Sequence, residues 1–468
     1  MTMLEMMKNS ENVESRILEA AEKAHDAHEK LNAVVTFIDP AEQISNLNEY
    51  KDGLMYGIPV ALKDNVNTKG IRTTASSRIL DNYVPVYDAT IVKKLREAGA
   101  VFVAKTSMDE LAMGGTNLTA ATGPVLNPYD TTCISGGSSG GSAVLVAEGV
   151  VPMAIGTDTG DSIRKPASYC NIVGFKPTYG RISRYGIIPY SSSLDHVGTF
   201  TRTVKDAALS LEVLAGRDDL DMTSSNLPVE HYLDAVKGEV AGKKIAIIKN
   251  IIDAIDNQET LKCFENVVNG LKAKGAVVEE VEMNQQLLRA ILPTYFLIAN
   301  CEATANHSNL DGLRFGNRKE ADSSEGIMMK TRTEGLCAYV RKRFVIGSYG
   351  LFVENQERLF RQAQRVRRLI CEDVDRVLNE YDAFIVPASA NGAPKVDAPA
   401  ASAMTDEYLI AENHMALGNF TGYPSITVPM GMTGGMPVGV NLTGRAFEEG
   451  ELLNIAQAIE DLMNKVGE

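Results

Sequence analysis

The sequence has no cysteine pair at metal-binding spacing. Its six cysteines, Cys133, Cys170, Cys263, Cys301, Cys337 and Cys371, are scattered through 468 residues without a C-x-x-C. That spacing suits reduced thiols in the cytoplasm and argues against a zinc site or a disulfide framework. No apolar run approaches the roughly 18 residues of a membrane span, so no membrane partner is expected. The start of the chain lacks a basic stretch followed by an apolar one, which argues against a secretory signal. It reads instead as an amphipathic helix with Val13, Ile17, Ala21 and Ala24 on one stripe.

Positive charge is also scarce. Lysine and arginine total 46 against 60 aspartates and glutamates, a net charge of −14. A surface that grips nucleic acid unaided normally carries a basic patch, because phosphate contacts supply most of the affinity. The candidates are "VRKRF" (340–344) and "RLFRQAQRVRR" (358–368), and arginines at 361, 365 and 368 are spaced as a solvated helix face. Direct RNA binding is therefore not expected. Histidine is equally sparse: there are six, the one following Ser162 is His196, 34 residues on, and His231, His307 and His414 sit in no motif. Any serine nucleophile needs another base.

What is present is alternation. Short β-branched runs such as "GIPVALK", "AVFVAKT", "VPMAIGT", "KKIAIIK", "AFIVPAS", "SITVPMG" and "PVGVNLTG" read as strands. Between them, "TIVKKLREAG", "ETLKCFENVVNGLKAKG" and "NIAQAIEDLMNKV" carry helical periodicity. This predicts an α/β fold, a large mixed and mostly parallel sheet covered by helices on both faces. Residues 1–468 read as one catalytic domain, with a candidate peripheral α/β insertion at about 240–330.

The stretch "SGGSSGGSA" (135–143) has the composition of a flexible linker, but it runs directly into the small-residue helix "SAVLVAEGVV". Inside a folded unit, backbone N–H groups at such a loop-to-helix junction form a ready anion site. The G-x-S-x-G within it (Gly136, Ser138, Gly140) is a weak match to a hydrolase nucleophile elbow, because "NPYDTTCIS" before it is a poor strand. A phosphate-binding Walker loop is excluded, since no lysine follows the glycines.

Lys63 in "GIPVALKDNV" ends a strand pattern, and alternation puts it on the same face as Pro59 and Ala61. A strand-end lysine usually snorkels to water. Buried among small neighbours, it loses proton affinity and becomes a competent base. A Ser–Lys pair is an alternative to Ser–His, and "GTDTGDSIRKPASYC" (156–170) supplies a further serine, Ser162.

Taken together, "ALKDN", "GGSSGGSA" and "GTDTGDSIRKPASYC", with 75 residues from Lys63 to Ser138 and 24 from Ser138 to Ser162, resemble the amidase signature family. The resemblance implies that fold and a Ser–Ser–Lys mechanism, often with a cis peptide bond: Lys63 draws a proton from Ser138, Ser138 from Ser162, and Ser162 attacks an amide carbonyl. Backbone N–H groups at Thr159, Gly160, Asp161 and Ser162 would form the oxyanion hole. Within the family, "GFKPTYGRISRYGIIPYSSSLDHVG", "SNLDGLRFG", "KTRTEG" and "GYPSITVPMG" are similar to the glutamine-hydrolysing A subunits of three-subunit, tRNA-dependent amidotransferases. That implies L-glutamine as substrate and ammonia passed to a partner that converts Glu-tRNA(Gln) to Gln-tRNA(Gln). It also implies B and C subunits as partners, tRNA held mainly by them, ATP and magnesium at the partner, and no cofactor in this chain. By the same resemblance Arg343 would hold the substrate carboxylate, Glu412 the ammonium, and Tyr295 would shape the pocket. Two positions depart from the family pattern: Asp161 stands where a glycine is usual, and Glu412 where an aspartate is common. The Asp161 carboxylate is expected to point away from the oxyanion, towards Lys165 or Arg164. A stand-alone amidase of small amides is one alternative, and a catalytically silent structural component of a complex is the other.

Overall fold

The computed structural model describes residues 1–9, 12–399 and 404–466. Eleven strands form one sheet: β1 (Val34–Phe37), β2 (Pro59–Lys63), β3 (Val101–Thr106), β4 (Met153–Asp158), β5 (Val173–Lys176), β6 (His196–Thr201), β7 (Lys244–Ile248), β8 (Val277–Val281), β9 (Ala383–Pro387), β10 (Ser425–Thr433) and β11 (Met436–Gly444). Their order is β1-β3-β2-β4-β6-β5-β10-β11-β9-β7-β8. The α/β architecture with a large mixed sheet is as expected, but the parallel share is smaller. Parallel pairing is confined to β3-β2-β4 and β9-β7-β8, and six of the ten pairings are antiparallel. The reason is local: Gly434 and Gly435, both at positive φ, close a tight hairpin between β10 and β11, which periodicity alone does not orient. The segment beginning near residue 240 adds β7 and β8 to the edge of this same sheet. No helix among the described residues is long and apolar enough to cross a membrane.

Alternation along β2 decides where its lysine goes. Val60 and Leu62 face one apolar layer, while Ala61 faces another with Ala104, Ala143 and Ala154. Small side chains let the helix Gly140–Ala147 lie close over β2, β3 and β4. Gly141 is needed for that approach, because a β-carbon there would sit 2.4 Å from the Ala33 carbonyl oxygen. Lys63, on the alanine face, is therefore sealed beneath the start of this helix and is 0% exposed. Parallel pairing of β2 with β4 also places the carboxyl ends of both strands together, the usual position for a site in sheets of this kind.

Candidate active site

Lys63 Nζ meets four oxygens at the top of β2 and β4: Ser139 Oγ at 2.7 Å, Ser138 Oγ at 2.8 Å, Thr157 Oγ1 at 2.9 Å and the Thr157 carbonyl at 3.3 Å. Burial pulls its pKa down to about 7, against the opposing fields of Asp109, Asp158 and Asp195. The two serines are not equivalent. Ser139 donates its own hydrogen to the Thr157 carbonyl at 3.1 Å. Ser138 has no second hydroxyl partner among the described residues, so its hydrogen is free to travel.

The serine loop is held from beneath. Gly137 packs so tightly that an added β-carbon would fall 2.1 Å from Asp109 Oδ2. Asp109 in turn accepts from the backbone N–H groups of Thr116 (3.2 Å) and Asn117 (2.8 Å), and Asn117 Oδ1 accepts from Gly140 N at 2.9 Å. The Gly137–Ser138 peptide bond is cis. The glycine-rich run is thus a fixed loop built over an aspartate, with none of the freedom of a linker.

Ser162, 3% exposed, lies in the turn between β4 and the helix Arg164–Tyr169. The turn is fixed by a buried ionic knot. Arg164 donates to both oxygens of Asp158 (3.1 and 2.9 Å), to the Gly160 carbonyl (2.8 Å) and to Asn419 Oδ1 (2.7 Å). Asn419 Nδ2 returns to the Asp158 carbonyl and carboxylate, both at 3.0 Å. Burial pushes the Asp158 carboxyl up, but Arg164 and the Ile163 N–H outweigh it and hold it well below the usual range. Thr159 Oγ1 donates to Asp195 at 2.7 Å, pinning the other side. The backbone N–H groups of Gly160, Asp161 and Ser162 donate to no protein acceptor among the described residues. Unspent donors next to a serine are what an oxyanion hole requires. The Ser162 hydroxyl makes no hydrogen bond among the described residues, so the contact expected between Ser138 and Ser162 is not made here. Catalytic contacts of this kind commonly close only when substrate is bound.

Beside this turn is a cavity of about 430 Å³, lined among others by Asp161, Lys165, Tyr295, Arg343 and Glu412. The structure thus brings the three residues expected to clamp a substrate into one cavity. Tyr295 and Arg343 come from two packed helices, Ile291–Asn306 and Ala338–Leu351. The Tyr295 ring lies against Gly160, where a β-carbon would be 3.0 Å from it. Arg343 is sandwiched between the rings of Phe296 and Tyr339, 4.7 Å from each centroid. It donates to the hydroxyls of Tyr190 (2.7 Å) and Tyr339, while its Nε has no partner. No carboxylate pairs with it among the described residues.

Glu412 is engaged differently. Its Oε2 receives Lys165 Nζ at 3.0 Å and its Oε1 the Ala390 N–H at 2.9 Å. The Asp161 carboxylate turns towards the same ammonium, 3.6 Å away. Neither Gly160 nor Asp161 has a positive φ, so a side chain at 161 costs no backbone strain. Sequence reasoning did not reach Ser139, Thr157, Asp109, Asn117, Asp158 or Asn419. Thr157 and Asp158 sit within the serine motif and could have been found there; Asn419 is 255 residues from Arg164 and left no local signal.

Comparison with known proteins agrees along nearly the full chain. The model of a family described as Amidase matches residues 16–453. The A subunit of glutamyl-tRNA(Gln) amidotransferase from Carboxydothermus hydrogenoformans is 44% identical over 414 residues, covering 87% of this chain and 84% of that protein. The crystal structure of the same-named protein from Thermotoga maritima superposes with a TM-score of 0.80 at 36% identity, covering 98% of this chain and 94% of that one. Native peptide amidase from Stenotrophomonas maltophilia superposes with a TM-score of 0.79 at 27% identity, covering 94% and 92% of the two chains.

Proposed function

The chain belongs to the amidase family, and we propose that within it this protein is the glutamine-hydrolysing subunit of a tRNA-dependent amidotransferase. The observation that carries the catalytic part is the buried contact between Lys63 and Ser138. With its pKa near 7, Lys63 holds a lone pair for part of its population at neutral pH. That lone pair draws the Ser138 hydrogen, Ser138 draws the Ser162 hydrogen, and Ser162 Oγ attacks the side-chain amide carbon. The oxyanion collects on the free N–H groups of Gly160, Asp161 and Ser162, with Thr159 anchoring the turn. Collapse expels ammonia, which takes its proton from the relay, and leaves a glutamyl ester on Ser162. Water attacks that ester through the same relay and releases glutamate.

Arg343 supports a substrate with a carboxylate. A buried guanidinium without an anionic partner is costly, and a carboxylate arriving in the cavity completes it. A small neutral amide, the substrate of the stand-alone alternative, leaves that charge unanswered. Tyr295 forms the wall between Arg343 and the serine turn.

The relatives named as A subunits support the rest of the reading. Ammonia passes to a B subunit, which with a C subunit completes the enzyme and converts Glu-tRNA(Gln) to Gln-tRNA(Gln). ATP and magnesium serve that partner; the chemistry of this chain needs only its own serines and lysine. The acidic charge of −14 supports leaving the tRNA to the partner, and the unpaired thiols support a cytoplasmic setting. The test is ammonia release from L-glutamine and from simple amides, with and without partner subunits, using Ser162→Ala as blank. Glutamine-selective release that rises with the partners is expected. Release from simple amides, indifferent to partners, would replace this reading with a stand-alone amidase.

A further inference from the structure

The charges in the substrate cavity do not balance in the way the sequence suggests. Glu412, the expected partner of the substrate ammonium, has both oxygens occupied by Lys165 and by the Ala390 N–H. Lys165 is bound to it a second time, donating to the Glu412 carbonyl at 2.5 Å. An incoming ammonium at Glu412 would share the carboxylate with Lys165, whose Nζ lies 3.0 Å from Oε2, and would face that positive charge.

Asp161 is in the opposite condition. Its carboxylate accepts no hydrogen bond among the described residues, lies beyond hydrogen-bond reach of Lys165 at 3.6 Å, and is 26% exposed into the cavity. Two carboxylate oxygens with full acceptor capacity therefore stand one residue from Ser162. The same cavity contains Arg343, a buried cation whose Nε is unpartnered and which no carboxylate answers among the described residues. One anion lacking donors and one cation lacking an anion are the complement of an α-amino acid head group.

We propose that Asp161 is the specificity-determining acceptor of the substrate ammonium, and that the Lys165–Glu412 pair positions it. This rests on the glutaminase reading and names the residue that makes the site selective for an amino acid over a simple acid amide. Lys165 acts here as a positioning residue: tethered to Glu412, it attracts the Asp161 carboxylate from 3.6 Å without a hydrogen bond and leaves both of its oxygens to the substrate.

The experiment compares L-glutamine with glutaramate, which is the same molecule without the α-ammonium. Binding of each is measured by calorimetry to the full chain carrying Ser162→Ala, alone and combined with Asp161→Asn, Asp161→Gly or Glu412→Gln. Glutamine is expected to bind Ser162→Ala at least about tenfold more tightly, the range of one charge-assisted hydrogen bond. Both Asp161 substitutions should erase that preference by weakening glutamine, and Glu412→Gln, which keeps an acceptor for Lys165, should lower it less than either. Because the glycine variant has no strain to introduce at this φ, it keeps the test valid should Asp161→Asn fold poorly. Preference surviving in both Asp161 variants, or vanishing in Glu412→Gln alone, overturns the assignment. Binding of neither amide by Ser162→Ala overturns the glutaminase reading itself, and the assignment with it.

Discussion

The Lys63 ammonium nitrogen lies 2.8 Å from the Ser138 hydroxyl, and both residues are 0% exposed. Burial of a lysine against three hydroxyls and one backbone carbonyl, with no carboxylate in contact, suits it to the proposed role of base. The pH profile follows from that. Activity requires the neutral amine, so kcat/KM should climb with pH and level off above about 7. A profile flat from pH 5.5 to 9 would remove Lys63 from the base role.

The same burial costs stability. A lysine whose folded pKa lies below its unfolded 10.5 destabilises the fold at every pH below 10.5, and most fully below about 7. Lys63→Met should therefore abolish turnover while stabilising the chain by about 1–3 kcal/mol near neutral pH, after the loss of hydrogen bonds to three hydroxyls. The gain should fade as pH rises towards 10.5. Urea midpoints of the two proteins between pH 6 and 9.5 measure it, and a less stable variant throughout would contradict the account.

Ser138 and Ser139 sit at almost equal distances from Lys63, yet their substitutions should differ. Ser138→Ala breaks the proton path and is expected to lower kcat by about a thousandfold, within the range of a lost acid–base group. Ser139→Ala removes a hydrogen bond to Thr157 and should cost about tenfold at most. Equal losses would mean that Lys63 uses either hydroxyl.

Arg164 and Asp158 are both 0% exposed, so removing one leaves the other buried and unpaired. Arg164→Met should cost about 3–5 kcal/mol, read as a lower urea midpoint. The pair stabilises above the unfolded aspartate value of 3.8 and that contribution is lost as pH falls through the lower folded value. An unchanged midpoint would show that the knot does not hold the turn.

Asp161 supplies a second pH signature. Burial pushes its carboxyl up to about 6; Lys165 and Arg164 pull it down, and Asp158 and Glu412 push it up. An ionised Asp161 is needed to receive an ammonium, so affinity for L-glutamine should fall as pH drops through about 6. Affinity for glutaramate should not follow it. Parallel curves for the two amides would assign the transition to another group.

Lys63, Ser138 and Ser162 were legible as candidates because each sits in a short motif at a strand or helix boundary. Alternation in "PVALK" put Lys63 on the face of Ala61, and that small-residue face is what buries it. The direction of strands was less legible, since β10 and β11 reverse at a glycine hairpin that periodicity does not orient. Tyr295, Arg343 and Glu412 were legible as candidates and share one cavity, but their partners there were not legible. Lys165 and Glu412 are 247 residues apart, and no local pattern says that they meet. Nor does any local pattern say that Asp161 escapes strain, since that depends on the φ of one turn.

In the proposed mechanism Lys63, through Ser138, makes Ser162 the nucleophile. It is tested most directly by covalent labelling of the full chain with phenylmethanesulfonyl fluoride, followed by mass spectrometry of the modified peptide. One adduct is expected, on Ser162, forming faster as pH rises to about 7 and level beyond, with the rate collapsing in Lys63→Ala and Ser138→Ala. An adduct on another residue, or undiminished labelling of Ser162 in Lys63→Ala, would contradict it.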